Sequence, residues 1–321
     1  MSYTHITPNQ RNELAVLFRA NLKKKDIAKL LNKDRTTIWR ERTKKCREDK
    51  VYDARIAKKI TKNNRIKANK RFRKIDNDPK LRRTVVRYLK KYWSPEEISG
   101  KLRKKGIIIG KDSIYNFIYE KRPELVKYLR CQKGKYRIRR GTSLRIKQRK
   151  ELEKKKNISL RPSIVENKER VGDWEGDTVW GKNRKGKVLL THVERKSGLV
   201  KIGLMKNKTA EEMKEKTVAM FKTIPRSKRL TCTYDNGTEN AEHELIEKET
   251  KIDIYFANPY HSWERGSNEN TNGLIRQFFF PKGISFDNIT EKEVKKVERL
   301  LNNRPRKRLG YLTPNEVFYG S

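Results

Sequence analysis

The sequence of 321 residues contains 82 Lys and Arg against 39 Asp and Glu, a formal net charge of +43 that is far beyond what solubility requires. The charge predicts a polyanionic partner. Nucleic acid is a better match than a membrane, because the sequence shows no amphipathic anchor, no lipidation signal and no apolar run of the roughly 20 residues that cross a bilayer. Since Met1 opens no signal peptide, the chain is expected in the cytoplasm, associated with the nucleoid.

The two halves of the chain differ in charge. Residues 1–160 hold 51 of the Lys and Arg but only 16 of the Asp and Glu. The front half therefore resembles a DNA-binding region, and the rear half a folded core that tolerates carboxylates. Neither half predicts a disulfide framework or a zinc site, because the cysteines are far apart and no His stands at metal spacing; they are Cys46, Cys131 and Cys232.

Residues 1–50 predict a helix-turn-helix domain. Thr7 and Gln10 are placed to cap a first helix that runs to about residue 20, and a second helix follows over 24–31. A short third helix, 35–42, would bury Ile38 and lie in the major groove, with DNA-facing side chains at Arg35, Thr36 and Arg40. Trp39 is expected to pack. The alternative is a basic three-helix bundle whose charges contact only phosphate.

Three further segments precede the core. Residues 51–90 form a basic helical arm or linker, and 91–131 a second helix-turn-helix domain that opens with a capping box at Ser94 and Glu97. Residues 132–160 are a basic linker, either flexible or tracking DNA. Candidate DNA-facing residues of the second domain are Lys111, Ser113 and Asn116.

Residues 161–321 predict an α/β domain. Three strands, near 171–179, 188–194 and 199–205, are joined by short turns; strands near 230–234 and 252–256 then alternate with helices. This order fits a mixed five-stranded sheet flanked by helices. Its closing segment, Asn302 to Arg306, is either a surface turn or a DNA contact.

Carboxylates in this region suggest chemistry. Asp173, Glu175 and Asp177 would share one face of the first strand, where a cation is needed to neutralise them. Asp235 leaves the fourth strand at an Asn-Gly turn, and Glu269 lies in the polar first turns of a later helix, 33 intervening residues further on. Three convergent carboxylates suit two Mg²⁺ ions, with Mn²⁺ as an alternative.

The words "WEGDTV", "DNGTEN", "NPYHSWERGSNENTNGLIRQ" and "LNNRPRKRLGYLTPNEVF" resemble the DDE transposases of the bacterial insertion-sequence-thirty family. The resemblance covers nearly the whole chain. It implies a ribonuclease-H-like core of the retroviral-integrase type, in which the first and fourth strands are neighbours. It also implies that Asp177, Asp235 and Glu269 are catalytic metal ligands. The N-terminal helical domains would recognise the element's terminal inverted repeats, and two ends predict a homodimer or higher oligomer on DNA.

Several alternatives stay open at this point. Pattern alone does not separate Asp173 from Asp177, and Glu264 competes with Glu269. Glu175 is expected beside the site and Glu239 in solvent. Contacts with DNA phosphate or substrate are expected from Asn268, Asn272 and Arg276, whereas His261 is weighed between proton transfer and packing, and Tyr260 and Trp263 between stacking on DNA and packing. The rival functions are a DNA-binding repressor without catalysis and a ribonuclease-H-like nuclease.

Overall fold

A computed structural model describes residues 5–46, 51–70, 73–130, 155–182, 186–258, 264 and 266–320. The chain forms two compact units, Met1–Pro79 and Lys80–Ser321. Within the described ranges, no helix is both long and apolar enough to cross a membrane. Most of the predicted basic linker, residues 132–160, lies outside the described residues, and the predicted domain boundaries stay predictions.

The first unit is helical, and its first helix begins with the cap that the sequence predicts. Thr7 accepts a hydrogen bond from the Gln10 backbone, and the Gln10 side chain accepts one from the Thr7 backbone. Leu14, Ile27 and Ile38 are fully buried in the core between the helices. The elements are α1 Pro8–Arg19, α2 Lys24–Leu30, α3 Arg35–Lys44, α4 Ala54–Lys70 and α5 Lys74–Asn77.

The second unit opens with three helices, α6 Pro79–Leu89, α7 Pro95–Arg103 and α8 Lys111–Lys121. The predicted capping box of Ser94 and Glu97 at the start of α7 is confirmed. Glu97 also pairs with Arg304, with 2.9 Å between Oε2 and Nε. Arg304 is buried, and the Asn302 side chain bonds both backbone groups of Val200. The closing segment was predicted to be a surface turn or a DNA contact. At Asn302 and Arg304 it instead forms buried contacts that hold the fold together.

The rest of this unit is built on one mixed sheet in the order β3-β2-β1-β4-β5. The strands β1, β2 and β3 pair antiparallel, whereas β4 pairs parallel with both β1 and β5. This confirms the predicted ribonuclease-H-like arrangement and the adjacency of the first and fourth strands. The strands are β1 Asp173–Trp180, β2 Val188–Glu194, β3 Val200–Met205, β4 Thr231–Tyr234 and β5 Asp253–Phe256.

Helices cover both faces of the sheet, so each face has its own core. Alternation along β1 sends Trp174 to one core and Val179 to the other. The core of Trp174 includes side chains of α10, α11 and α14, and the core of Val179 includes side chains of α12 and α13. The helices are α9 Ser163–Glu166, α10 Ala210–Lys222, α11 His243–Thr250, α12 Gly266–Phe278, α13 Glu291–Asn302 and α14 Pro314–Tyr319.

One buried histidine predicts how stability depends on pH. His192 on β2 is fully buried, a hydrogen bond of 2.7 Å joins its Nε2 to the Tyr234 hydroxyl, and burial lowers its pKa to about 3. The imidazole of an unfolded chain has a pKa of about 6.5. The unfolded state therefore takes up a proton first as the pH falls, and the stability that the neutral ring contributes is lost progressively from about pH 6.5 towards pH 3.

We expect His192→Gln, which retains a polar partner for Tyr234, to flatten this pH dependence. Between about pH 7 and pH 4.5 the unaltered protein should lose about 2 to 3 kcal/mol more unfolding free energy than the variant, at about 1.36 kcal/mol per pH unit below 6.5. Urea unfolding of both proteins at both pH values measures this difference. The carboxylates are common to the two proteins, so their contribution to the pH dependence cancels. Equal losses in the two proteins would contradict the prediction.

Candidate active site

The acidic face of β1 is neutralised in a way that the sequence does not reveal. Asp173 is 1% exposed and pairs with Arg170, with 3.0 Å between Oδ2 and Nε. Glu175 is also 1% exposed and pairs with Arg195, with 2.8 Å between Oε1 and Nη1. Two of the three acids are therefore neutralised by arginines of the chain, whereas the sequence predicted that a bound cation would neutralise them. These pairs show that Asp173 and Glu175 support the fold of β1.

Asp177 is half-buried near the end of β1 and is bonded to a helix on the same face. Asn272 of α12 donates from Nδ2 to Asp177 Oδ2 at 2.8 Å. The Thr178 backbone donates to Oδ1 at 2.8 Å. The two bonds orient the carboxylate, and the bond from Asn272 also joins α12 to the strand.

Asp235 follows β4 and lies in the predicted Asn-Gly turn. Its Oδ1 accepts from the Gly237 backbone and from Asn240 Nδ2, each at 3.2 Å. Glu175 pairs with Thr233 at the end of the parallel ladder, and Asp177 and Asp235 each follow by two residues. Neighbouring strands lie about 4.8 Å apart, so the same register continued by two residues would bring the two aspartates side by side.

Glu269 lies in the first turn of α12, and its neighbours fix that turn to the sheet. The Asn268 backbone donates to Glu175 Oε2 at 2.8 Å, and Asn272, three residues after Glu269, bonds Asp177. The Glu269 side chain itself is exposed. The helix that bears the third carboxylate is therefore attached to β1 at two points one turn apart.

The structure does not gather all three carboxylates around one point. In the described part of the chain, no three side chains of His, Cys, Asp or Glu are arranged to hold a metal ion. Asp177 and Asp235 follow the paired residues Glu175 and Thr233 of neighbouring strands. The Asn272 hydrogen bond joins Asp177 to α12, whereas Glu269 is exposed. The donor chemistry fits a hard divalent cation, because all three groups offer carboxylate oxygens.

The competing acids have other partners. Both carboxylate oxygens of Glu264 accept from Asn258, from its backbone at 2.8 Å and its side chain at 2.9 Å, so this residue closes a loop. The expectation that Glu239 faces solvent is wrong: it is buried and pairs with Lys208 at 2.5 Å. Its burial follows from the turn after Asp235, which folds Glu239 back towards Thr178 on β1.

A buried polar network lies behind the site, and sequence reasoning missed it. Arg195 bonds Glu175 and the Glu264 backbone carbonyl, and its Nη2 lies 3.5 Å from Glu166 Oε2. Arg161 also bonds Glu166 and donates to Thr233 Oγ1 at 2.9 Å. Burial, followed by the nearby Arg195 charge, lowers the pKa of Arg161. The network thus links Thr233 of β4, two residues before Asp235, with Glu264, which precedes α12.

The amides near Glu269 serve the fold. Asn268 is fully buried, and the Thr191 hydroxyl lies within hydrogen-bond distance of the side-chain oxygens of Asn268, at 3.3 Å, and Asn272, at 3.1 Å. Arg276 bonds the Trp180 carbonyl, its guanidinium lies 5.3 Å from the centre of the Phe286 ring, and burial lowers its pKa. The prediction that Arg276 contacts DNA stays a prediction. Three residues weighed for the site lie outside the described residues: Tyr260, His261 and Trp263.

The predicted DNA-facing residues lie on the surfaces of their helices. On α3, the exposed residues include Arg35, Thr36 and Arg40. Trp39 is 48% exposed, and Ile38 fills the inward position of that turn, as predicted. The choice for Trp39 between packing and base contact stays a prediction. On α8, the exposed residues include Lys111, Ser113 and Asn116. Their contacts with DNA stay predictions.

Comparison with known proteins identifies the family. No protein-family model matches the chain. The transposase of insertion sequence element IS4351 of Bacteroides fragilis is 42% identical, covering 98% of this chain and 95% of that protein. Transposase InsI of element IS30A of Escherichia coli strain K12 is 33% identical, covering 98% of this chain and 83% of that protein.

Among solved structures, a chain in the simian T-cell lymphotropic virus intasome, bound to PP2A regulatory subunit B56 gamma, overlaps 41% of this chain and 50% of its own length. Its TM-score of 0.35 and identity of 19% are too low to add to the assignment. The identities with the two transposases extend over nearly the whole of this chain and most of each relative. The chain therefore belongs to the IS30 family of insertion-sequence transposases.

Proposed function

We propose that this DNA transposase cuts and joins DNA strands with the carboxylates of Asp177, Asp235 and Glu269, which bind divalent metal ions. The observation that supports the proposal is the parallel pairing of β1 with β4, because Asp177 and Asp235 each follow the last paired residues, Glu175 and Thr233, by two positions. The hydrogen bond from Asn272 to Asp177 supports the third member, since it ties the helix of Glu269 to the same strand.

The proposed ligands fit Mg²⁺, with Mn²⁺ as an alternative, because hard cations prefer carboxylate oxygens. Two such ions, when bound, supply Lewis acidity to the attacking and leaving oxygens of a phosphodiester. Glu269 is exposed at the first turn of α12. In our proposal its side chain turns towards Asp177 and Asp235 and completes the ligand set when DNA and metal bind.

In this proposal the chain's own residues orient the carboxylates, and none of them forms a covalent bond to DNA. Asn272 and Asn240 donate to Asp177 and Asp235 and fix the rotation of each carboxylate. In the proposed sequence, water attacks one phosphodiester and releases a 3′-hydroxyl, and that hydroxyl then attacks a target phosphodiester. Both steps are in-line displacements at phosphorus. No Ser or Tyr nucleophile is required.

The two helix-turn-helix segments complete the proposal. We assign binding of the element's terminal inverted repeats to the exposed residues of α3 and α8, because a short helix after a tight turn is the usual reader of the major groove. An element has two ends, so a homodimer or higher oligomer on DNA follows from the need to hold both. The residues concerned are Arg35, Thr36, Arg40, Lys111, Ser113 and Asn116.

Strand cleavage and joining on a labelled duplex that carries the element's end test the proposal. We expect a joined product with Mg²⁺, none with EDTA, and none with Asp235→Asn, although that variant should still bind the duplex. Tight binding without cleavage under any divalent metal would favour the repressor. Cleavage without joining would favour the nuclease.

A further inference from the structure

Three ion pairs hold α7 against a segment near the end of the chain, residues 304–316. The most buried of them joins Glu97 to Arg304, which is 4% exposed, with 2.9 Å between Oε2 and Nε. A second pair, of Lys101 with Glu316 at 2.8 Å, is partly buried, and the third is exposed. We call the contacts between α7 and this segment the α7 interface. Its residues are Glu96, Glu97, Gly100 and Lys101 of α7 and Arg304, Lys307, Tyr311 and Glu316.

Gly100 allows a close approach in the middle of this interface. It is buried within α7, and a methyl group on its Cα would lie 2.3 Å from the nearest carbons of the Tyr311 ring. Non-bonded carbon atoms pack at about 3.5–4.0 Å, so a larger residue would displace the ring or the helix by about 1 Å or more. Alanine is the better residue for the interior of a helix. Glycine therefore weakens α7 by itself, and its contact with Tyr311 offsets that loss.

A second contact joins the helical module, α6 to α8 with the turns between them, to the helix that bears Glu269. Tyr92 lies between α6 and α7, and its ring centre is 5.1 Å from that of Phe278 and 4.9 Å from that of Phe279. The Arg304 guanidinium lies 5.4 Å from the centre of the Phe278 ring. Phe278 ends α12, about 14 Å along the helix from Glu269. The far end of α12 is thus held between Tyr92 and the α7 interface.

The interface also determines the position of α8, to which the proposed function assigns recognition of the element's end. α7 packs against α8. Leu102 of α7 and Ile114 and Ile118 of α8 are buried, whereas Lys111 and Asn116 of α8 are exposed. Because close-packed interiors transmit displacement, a shift of α7 would move α8 relative to α12.

We propose that the α7 interface sets the distance between the DNA sequence that α8 reads and the phosphodiester that is cut. The inference rests on the proposed function and deepens it, because it assigns the choice of the cleaved bond to contacts within the protein. Successive phosphates of one strand are about 3.4 Å apart along the duplex axis. One bond is selected only if α8 and Glu269 are fixed relative to each other more closely than that. The ion pairs and the close approach at Gly100 provide this fixed connection.

The test compares Gly100→Ala with Gly110→Ala, the same change in the same module, where the nearest atom to the added methyl is 3.9 Å away. A second interface variant, Lys101→Glu, places a carboxylate opposite Glu316 and keeps the capping box at the start of α7. Binding of the full chain to a duplex with the element's end is measured by fluorescence anisotropy in EDTA. Cleavage with Mg²⁺ at saturating duplex is mapped to single nucleotides.

Both interface variants should bind the duplex with the affinity of the unaltered protein. Their rate of cutting at the normal bond should fall by about a hundredfold, because a displacement of about 1 Å in a catalytic group costs about that much, and cuts should appear at neighbouring bonds. The spacing is then changed by one base pair between the bound sequence, located by footprinting, and the cut. The unaltered protein and Gly110→Ala should still cut at the same distance from the bound sequence, whereas the interface variants should lose this preference.

Interface variants that cut the same bond as fast as Gly110→Ala would overturn the inference and leave the proposed function intact. A loss of duplex binding that matches the loss of cleavage would also overturn it, because the interface would then serve binding alone. Lys101→Glu leaves the packing of Gly100 unchanged and decides the case if Gly100→Ala does not fold. If the unaltered protein bound the duplex but cut it with no divalent metal, the proposed function would fail, and the inference with it.

Discussion

Glu269→Gln is expected to lower strand cleavage and joining by about a thousandfold or more, while DNA binding and stability stay near those of the unaltered protein. Glutamine matches glutamate in size but lacks the charge that a metal ligand needs. Loss of such a ligand removes several kcal/mol of transition-state stabilisation, and each 1.36 kcal/mol is about tenfold in rate. Product formation on the labelled duplex and thermal unfolding measure the two effects separately.

Stability should be preserved because Glu269 is exposed and forms no hydrogen bond or ion pair with any described residue. Substitutions at such positions usually change the unfolding free energy by no more than about 0.5 kcal/mol. A loss of activity together with a large loss of stability would therefore mean that the carboxylate supports the fold, and the assignment to the metal site would be withdrawn.

Glu264→Gln is the matched control, since it makes the same chemical change five residues earlier in the chain. Its carboxylate accepts two hydrogen bonds from Asn258, so we expect a loss of about 1 kcal/mol in stability and activity within about tenfold of the unaltered protein. The reverse result, with activity lost in Glu264→Gln and retained in Glu269→Gln, would move the third ligand to Glu264.

Local signals in the sequence predicted the elements well. The capping boxes at Thr7 and Ser94 are formed by residues three positions apart, so their partners can be read directly from the sequence. Strand β2 is confirmed at its predicted bounds, Val188–Glu194, because its apolar run is bounded by turn residues. The order of the strands came from the family resemblance, since periodicity carries no information about which strands pair.

Contacts over long sequence separations could not be predicted in the same way. Glu175 and Arg195 are 20 residues apart, and their pairing depends on how β1 and β2 align. The prediction that Glu239 faces solvent was wrong because a carboxylate is usually exposed, and its partner Lys208 lies in a loop that is distant in the sequence. Trp39 is 48% exposed because α3 is short and Ile38 occupies its inward position.

The ion pair of Glu175 and Arg195 is expected to affect both stability and catalysis, and substitutions can separate the two. Glu175→Met leaves the guanidinium of Arg195 buried without its closest carboxylate, which should cost about 3 kcal/mol of unfolding free energy. For a unit of this size that corresponds to a fall of roughly 6–12 °C in melting temperature. Glu166, 3.5 Å from Arg195, offsets part of the cost.

Glu175→Met/Arg195→Met should recover most of that stability, because replacing both partners of a buried pair with apolar residues is often neutral. Activity should not recover with it. The Asn268 backbone would still lack its acceptor at the start of α12, and a displacement of about 1 Å in a catalytic group can cost about a hundredfold. A double variant that regains both stability and strand joining would show that the pair only stabilises the fold. One that is stable yet about a hundredfold less active, with DNA binding intact, would make Glu175 a positioning residue for Glu269.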